Sequence, residues 1–153
     1  MRKTMFVAHL LLISASTATY ADVASLCESK ERTVWSCQVG TKIYSVCASQ
    51  DLSGTTGYLQ YRAGTAQKTD FRFPTVLLHP KDHFEFGLLA HGARLSFSNG
   101  GYSYSIAEDL KGGTIIDVEK SNRSVSTIHC RDSTATLTET STIDLFTSAG
   151  IAK

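Results

Sequence analysis

The chain has 153 residues, with 15 Lys and Arg against 14 Asp and Glu and a formal net charge of +1 at pH 7. This near-balance gives no indication of nucleic acid or an anionic membrane as a partner. The length suits one domain with a single core and is short for two.

The first 21 residues have the composition of a secretory signal peptide. Two basic residues precede an apolar run from Met5 to Ile13, and the small residues Thr19 and Ala21 occupy the positions that a signal peptidase reads. The run is too short to span a bilayer. We predict a signal peptide over residues 1–21, a single β-domain over residues 22–153, a periplasmic or secreted location, and no stable membrane insertion.

Four cysteines follow this segment: Cys27, Cys37, Cys47 and Cys130. An even number of cysteines in an exported chain favours two structural disulfides. The spacing of these cysteines lacks the close ligand pairs of zinc sites. We therefore expect two disulfides, no metal and no cofactor.

A β-hairpin is predicted over residues 33–48, with Gly40-Thr41 as its two-residue turn. In that register Cys47 lies opposite Val34. Cys37 and Cys47 are then offset by roughly 10 Å, beyond the limit of about 7 Å between the Cα atoms of a disulfide. The hairpin therefore argues against a bond between these two cysteines.

Two disulfide connectivities remain open. The first pairs Cys27 with Cys47 and Cys37 with Cys130, and the second pairs Cys27 with Cys37 and Cys47 with Cys130. We favour the first, because Cys27 enters the hairpin near the position that faces Cys47.

The rest of the chain alternates short apolar and polar segments with turn signals every eight to twelve residues, as antiparallel sandwiches and barrels do. Ser141 or Thr142 is expected to cap a short C-terminal helix that ends at Gly150. We predict an all-β fold, a single antiparallel β-sandwich or barrel of about eight short strands, with two disulfides and this helix. The predicted turns are His91-Gly92-Ala93, Asn99-Gly100-Gly101, Lys111-Gly112-Gly113 and Ser121-Asn122-Arg123.

No set of residues stands out as catalytic. In the cluster from His79 to His83, Pro80 prevents the helix that would align the two histidines. No serine lies in a Gly-x-Ser-x-Gly turn, and two disulfides leave no thiol for nucleophilic catalysis. We expect no catalytic residue and a protein that is not an enzyme.

Five segments spread over most of the chain resemble a family of small exported bacterial proteins that has no established activity. They are Ser36-Cys37, Gly40, Ser45 to Ser49, Gly57 to Arg62 and Asp144 to Phe146. This resemblance implies export and a compact domain.

A second resemblance begins at His91-Gly92-Ala93-Arg94-Leu95 and continues through Phe97, Gly100-Gly101, Tyr104 and Cys130. These residues resemble the bacterial membrane-bound and periplasmic inhibitors of lysozyme. Those inhibitors are small antiparallel barrels whose Ser-Gly-x-x-Tyr loop enters the lysozyme cleft and meets its catalytic carboxylates. Placed on His91 to Leu95, this motif matches only at Gly92; placed on Gly100 to Tyr104, it matches at Gly101 and Tyr104.

Our leading hypothesis is a non-enzymatic exported binding protein, either an inhibitor of a cell-wall hydrolase such as lysozyme or an immunity protein against one. The expected partner is a cell-wall hydrolase or another envelope protein, and the oligomeric state is left open. The predicted partner-binding residues are His91, Gly92, Arg94, Tyr102 and Tyr104.

Two alternatives stay open. A small envelope enzyme would use a histidine-containing site, which requires two or more of its histidines to converge in one pocket with an acidic partner. A glycan-binding module would stack sugars on Tyr58 and Tyr61, which requires both rings to be exposed. The histidines considered are His79, His83, His91 and His129.

Overall fold

Two antiparallel sheets form a β-sandwich in the computed structural model of the protein, which describes residues 24–131, 133 and 136–153. The predicted signal peptide lies outside the described residues. The all-β fold class is confirmed, with nine strands instead of about eight. No helix in the described part of the chain is both long enough and apolar enough to cross a membrane.

Both sheets are meanders in which each strand pairs with the next along the chain. The first sheet has the order β1-β2-β3-β4 and comprises β1 (Glu31–Val39), β2 (Lys42–Ser49), β3 (Leu59–Thr65) and β4 (Lys68–Phe73). The second has the order β5-β6-β7-β8-β9 and comprises β5 (Phe84–Leu89), β6 (Gly92–Asn99), β7 (Tyr102–Asp109), β8 (Thr114–Lys120) and β9 (Arg123–Cys130). One helix follows, α1 (Thr140–Ser148).

The core lies between the inner faces of the two sheets. Aromatic rings from both sheets stack there: the centroid of Phe97 is 4.6 Å from that of Phe73 and 4.7 Å from that of Tyr104. Trp35 and Phe146 are fully buried in the same core. Period-two alternation produces this arrangement, because every second side chain of a strand points to the same face.

The first hairpin turns at Gly40-Thr41, as predicted, with Val39 paired to Lys42. A bulge between Thr33 and Trp35 then shifts the register, so that Cys47 faces Thr33. The prediction that Cys47 lies opposite Val34 was therefore wrong by one residue. The bulge also explains why Val34 and Trp35, although adjacent, are both buried.

The favoured disulfide connectivity is confirmed. Cys27 is bonded to Cys47, with Cα atoms 5.3 Å apart, and Cys37 is bonded to Cys130, with Cα atoms 6.0 Å apart. The second bond joins β1 of the first sheet to β9 of the second. It therefore links the two layers of the sandwich covalently.

An N-terminal arm, residues 24–30, covers part of the outer face of the first sheet. The Ser36 hydroxyl donates a hydrogen bond to the carbonyl of Ala24 at 2.7 Å, and the Leu26 N–H donates to the Ser45 hydroxyl at 3.0 Å. The Cys27–Cys47 disulfide fixes the same arm to β2. Serine side chains on this outer face are therefore buried and paired.

The C-terminal helix begins at Thr140, and its cap lies two or three residues before the predicted ones, so the assignment of Ser141 or Thr142 as the cap was wrong. Glu139 occupies the cap position, and its carbonyl accepts hydrogen bonds from the N–H groups of Thr142 and Ile143. These are the first hydrogen bonds of the helix, so Ser141 and Thr142 lie inside its first turn. Gly150, with φ +71°, follows the end of the helix as expected.

Candidate functional site

One end of the outer face of the second sheet combines exposed apolar and basic side chains. We call this surface the basic–apolar patch; it comprises Leu89, His91, Arg94, Leu110, Lys111, Ile115, His129 and Arg131. Six of these eight residues line a shallow depression of about 1010 Å³; Arg94 lies beside it on the same face, and Leu110 is joined to His91 by a backbone hydrogen bond. Three parts of the chain meet here: the β5–β6 turn, the β7–β8 loop and the end of β9.

The apolar part of the patch is exposed to an unusual degree. The exposed fraction is 66% for Leu110, 42% for Leu89 and 41% for Ile115. Single exposed apolar residues are common on protein surfaces, but a cluster of them bordered by polar groups is typical of an interaction site. Ile115 pairs across the sheet with Ala107 on one side and His129 on the other, so the cluster continues onto the face of the sheet.

Backbone hydrogen bonds fix the loops that carry the patch. The Leu110 N–H donates to the carbonyl of His91 at 2.9 Å, which ties the β7–β8 loop to the β5–β6 turn. The Asp109 carboxylate accepts the Lys111 N–H at 2.8 Å. Gly112 and Gly113 complete this loop with φ values of +91° and +94°, which few other residues adopt.

Gly92 is a buried part of this scaffold. A Cβ built on Gly92 would lie 1.8 Å from the backbone oxygen of Glu108, so only glycine lets β6 approach β7 this closely. Of the predicted partner-binding residues, Gly92 therefore shapes the patch and presents no side chain to a partner.

The charge of the patch is positive. Arg94, Lys111 and Arg131 are exposed cations, and His91 and His129 add two titratable rings. Asp109, whose carboxylate accepts the Lys111 N–H, lines the same depression and offsets part of this charge, whereas Glu108 is buried.

Glu108 faces inward, where it anchors the C-terminal segment. Its carboxylate accepts the Leu137 N–H at 3.1 Å, the Thr138 N–H at 3.3 Å and the Thr138 hydroxyl at 2.8 Å. The Glu108 carboxylate is thus committed to the segment before α1 and is not presented to a partner. The patch accordingly suits an acidic surface with an apolar component.

The other half of the same sheet face is hydroxylic and acidic. Four serines on adjacent strands form the floor of a second depression of about 860 Å³: Ser96, Ser98, Ser103 and Ser105. Asp117 borders this floor. The hydroxyls of Ser124 and Thr127 donate to its carboxylate at 2.7 and 2.8 Å and hold its pKa below the usual value. The outer face of the second sheet therefore carries the basic–apolar patch at one end and a floor of hydroxyl groups bordered by Asp117 at the other.

The two tyrosines predicted to bind a partner lie away from the patch. Tyr102 pairs with Asn99 at the opposite end of β6 and β7 from Gly92, roughly 23 Å away at the rise of a strand. The Tyr102 ring lies under Lys120, with the ammonium nitrogen 4.9 Å from its centroid. Tyr104 is half-buried against Phe97 in the core. Of the five predicted residues, the fold brings together only His91, Gly92 and Arg94.

The histidines are divided between two regions. His91 and His129 line the same depression, together with Asp109. His79, by contrast, lies in the segment between the sheets with its Nε2 2.8 Å from the Ser53 carbonyl oxygen, and His83 packs against the Phe73 ring.

Within the described part of the chain, one set of three His, Cys, Asp or Glu residues brings its ligand atoms within 4.8 Å of one another. That set is Cys27, Glu31 and Cys47. Two of its members form a disulfide, so their sulfur atoms are not free thiolates that could bind a metal.

Tyr58 and Tyr61 do not form an exposed pair. Tyr61 is 3% exposed and packs against Phe97 and Phe71, with centroid distances of 5.2 and 6.0 Å. The Tyr58 hydroxyl donates to the Glu31 carboxylate at 2.7 Å, and burial and this carboxylate raise the pKa of Tyr58 to about 12. The stacking surface required for the glycan-binding alternative is therefore absent at these two tyrosines.

A buried ion pair under the N-terminal arm was not anticipated from the sequence. The two terminal nitrogens of the Arg62 guanidinium, Nη1 and Nη2, each donate to the Glu31 carboxylate at 2.7 Å, and the Arg62 Nε donates to the Gln60 side-chain oxygen. Burial tends to raise the pKa of the Glu31 carboxyl, but hydrogen bonds from Arg62, Tyr58 and the Glu28 N–H lower it below the usual value. The pair is closed to solvent and holds the arm.

Comparison with known proteins identified no relative: no protein-family model, curated protein or solved structure matches this chain.

Proposed function

We propose that the protein is a non-enzymatic exported binding protein that docks through the basic–apolar patch onto an acidic protein surface, with a cell-wall hydrolase such as lysozyme as the specific target. The observation that carries this proposal is the clustering of Leu89, Leu110 and Ile115, all more than 40% exposed, among five basic side chains. Such a surface combines the apolar anchors and the cations that charge-complementary interfaces use.

The target class follows from the chemistry of glycoside hydrolysis. Hydrolases of this kind work with a pair of carboxyl groups on either side of the scissile bond, so their clefts are acidic. Arg94, Lys111 and Arg131 would form charge-assisted hydrogen bonds with such carboxylates, while Leu110 would bury its apolar side chain in the cleft. The bound protein would then exclude the substrate.

Export is part of the same proposal. The two disulfides are consistent with an oxidising compartment, and the first 21 residues have the composition of a signal peptide. A cell-wall hydrolase acts in the same compartment, the periplasm or the space outside the cell.

Inhibition assays against lysozymes of several classes, together with affinity capture from an envelope extract, test this proposal. We expect Arg94→Glu and Lys111→Glu each to weaken binding roughly tenfold, because each places a negative charge against an acidic partner. Arg123→Glu is the matched control, since Arg123 is an exposed cation at the β8–β9 turn, outside the patch. The absence of both binding and inhibition, or equal losses for all three variants, would contradict the proposal.

A second candidate, a small envelope enzyme, rests on the depression that His91 and His129 share with Asp109. It predicts turnover of a cell-wall substrate that His91→Ala and His129→Ala both abolish. Inhibition of a hydrolase without any turnover would decide in favour of the binding protein.

A further inference from the structure

The segment between the two sheets, residues 74–80, exposes three consecutive large apolar side chains. The exposed fraction is 59% for Val76, 53% for Leu77 and 40% for Leu78. Such a run is costly to leave in water, because burial of the remaining exposed apolar surface would be favourable. This segment is separate from the basic–apolar patch and shares no residue with it.

Both ends of the segment are fixed to the body of the protein. Pro74 is buried, and its carbonyl accepts a hydrogen bond from the Gln60 side chain at 2.7 Å. Pro80 is also buried, and its carbonyl accepts the N–H groups of His83 and Phe84 at 2.9 Å. The His79 ring lies 2.8 Å from the Ser53 carbonyl oxygen. The exposed leucines are therefore presented by a stretch with anchored ends.

Within the described part of the chain, the backbone between these anchors forms no hydrogen bond: none involves a backbone N–H or carbonyl group of residues 75–79. Thr75 and Val76 lie in a bend, and residues 77–79 belong to no helix, strand or turn. The segment thus offers free backbone donors and acceptors together with apolar side chains, which are the groups that an added β-strand uses in peptide recognition.

These free backbone groups distinguish between two kinds of occupant. A lipid bilayer would bury the leucines but could not satisfy the peptide groups between them. The charges of the adjacent Lys81 and Asp82 also cancel, so the segment has no excess of positive charge for anionic headgroups. A protein cleft that binds extended polypeptide supplies both hydrogen bonds and apolar pockets.

We propose that residues 75–79 bind, with Leu77 to His79 extended after the bend at Thr75 and Val76, in the substrate cleft of an endopeptidase whose specificity pocket accepts aliphatic side chains, and that they inhibit it. Endopeptidase clefts bind the middle of a chain, whereas domains that capture a terminal carboxylate or amine require a free chain end. Because the ends of the segment are fixed, it loses less conformational entropy on binding than a flexible substrate does. The peptidase cleft should therefore bind this segment more tightly than a flexible substrate.

The test measures inhibition of two serine endopeptidases, one of elastase type that cleaves after small aliphatic residues and one of trypsin type that cleaves after Lys or Arg. We expect the protein to inhibit the first and not the second. At least one of the variants Leu77→Ala and Leu78→Ala should inhibit the elastase-type enzyme at least tenfold more weakly than the unchanged protein. Val125→Ala, which truncates a side chain of similar exposure (55%) on β9, should leave it unchanged.

A change of specificity gives a second, independent readout. In at least one of the variants Leu77→Arg and Leu78→Arg, inhibition should pass from the elastase-type to the trypsin-type enzyme, because the trypsin pocket ends in a carboxylate that pairs with Arg. Inhibition of neither enzyme by any of these proteins, rapid cleavage within residues 75–79, or leucine-dependent binding to phosphatidylcholine vesicles would each overturn the proposal. Arg94→Glu should leave the peptidase inhibition unchanged, so this proposal and the patch proposal can fail separately.

Discussion

Gly92 connects the chemistry of a single residue to the shape of the basic–apolar patch. It opens β6 directly after the turn that carries His91, and its missing side chain lets the backbone of Glu108 approach. The sequence indicated a turn at this position, but the turn lies at Ala90-His91 and Gly92 is the first residue of the strand. A glycine is compatible both with a turn and with a strand whose backbone lies unusually close to its neighbour, so the sequence alone could not distinguish these two roles.

Gly92→Ala should destabilise the protein by about 1–3 kcal/mol, because the new methyl group overlaps the Glu108 carbonyl and forces β6 and β7 apart. Gly87→Ala is the matched control, since a Cβ at Gly87 meets no atom within 4 Å and its φ is not positive. Urea denaturation of both variants measures the difference. Equal stability of the two variants would contradict the close approach.

At the scale of elements, the N-terminal arm is held to the first sheet by a charged group as well as by a disulfide. Glu31 stands at the start of β1, and Arg62 on β3 reaches it across β2. Because the pair is buried, removal of one partner leaves the other charge without compensation, which typically costs about 3–5 kcal/mol.

The stability contributed by Glu31 should depend on pH in a defined direction. Its pKa in the folded protein lies below the usual 4.5, so this contribution is complete above pH 4.5 and is lost as the pH falls through the lower, folded-state value. Glu31→Gln should reduce the free energy of unfolding at pH 7 and flatten its decline on acidification. Urea titrations between pH 3 and 7 measure both effects.

Glu28→Gln provides the control for that experiment, because the Glu28 side chain is exposed and its one ion pair among the described residues is with the exposed Lys30. Its unfolding curve should follow that of the unchanged protein at each pH. An equal effect of the two substitutions would show that the buried pair does not hold the arm.

The elements themselves were largely predictable. Alternation of apolar and polar residues located the strands, and glycine-containing turns located most of their ends. The predicted register of the first hairpin was wrong at the bulge around Val34. The sequence of β1 fits a regular strand equally well, and the bulge is defined only by the pairing of β1 with β2. The predicted start of the helix was wrong because Ser141 and Thr142 are residue types that often cap helices, whereas the fold places both inside the first turn.

For the whole molecule, the two disulfides differ in what they restrain. Cys37–Cys130 closes a loop with a sequence separation of 93 and joins the two sheets, whereas Cys27–Cys47 has a separation of 20 and joins the arm to β2. By the loop-entropy relation these bonds stabilise the fold by about 4.7 and about 3.3 kcal/mol. The bond between the sheets should therefore contribute more.

Thermal and urea denaturation of the two double variants, Cys37→Ser/Cys130→Ser and Cys27→Ser/Cys47→Ser, test this order. We expect the first to be less stable than the second by about 1 kcal/mol or more, because its unfolded chain regains more conformational freedom. The reverse order would mean that the arm contributes more to stability than the link between the sheets.

The basic–apolar patch was only partly predictable. His91 and Arg94 were indicated by a motif near a turn, whereas Leu110 joins them through its backbone hydrogen bond to His91 and Arg131 through the strand order of the second sheet. Tyr102 and Tyr104 were expected at the same surface, but the alternation of β7 turns Tyr104 toward the core. Exposure of an apolar side chain depends on contacts between distant segments, which a local pattern does not contain.

The shifted register of the first hairpin also has a consequence for biosynthesis. A chain that emerges from its N-terminus presents Cys27, Cys37 and Cys47 long before Cys130. Once β1 and β2 have paired, the bulge and the turn keep Cys37 out of reach of Cys47 and leave Cys47 accessible to Cys27. We expect a hairpin that forms first to favour the Cys27–Cys47 bond and to leave Cys37 for Cys130 once the last strand has been made.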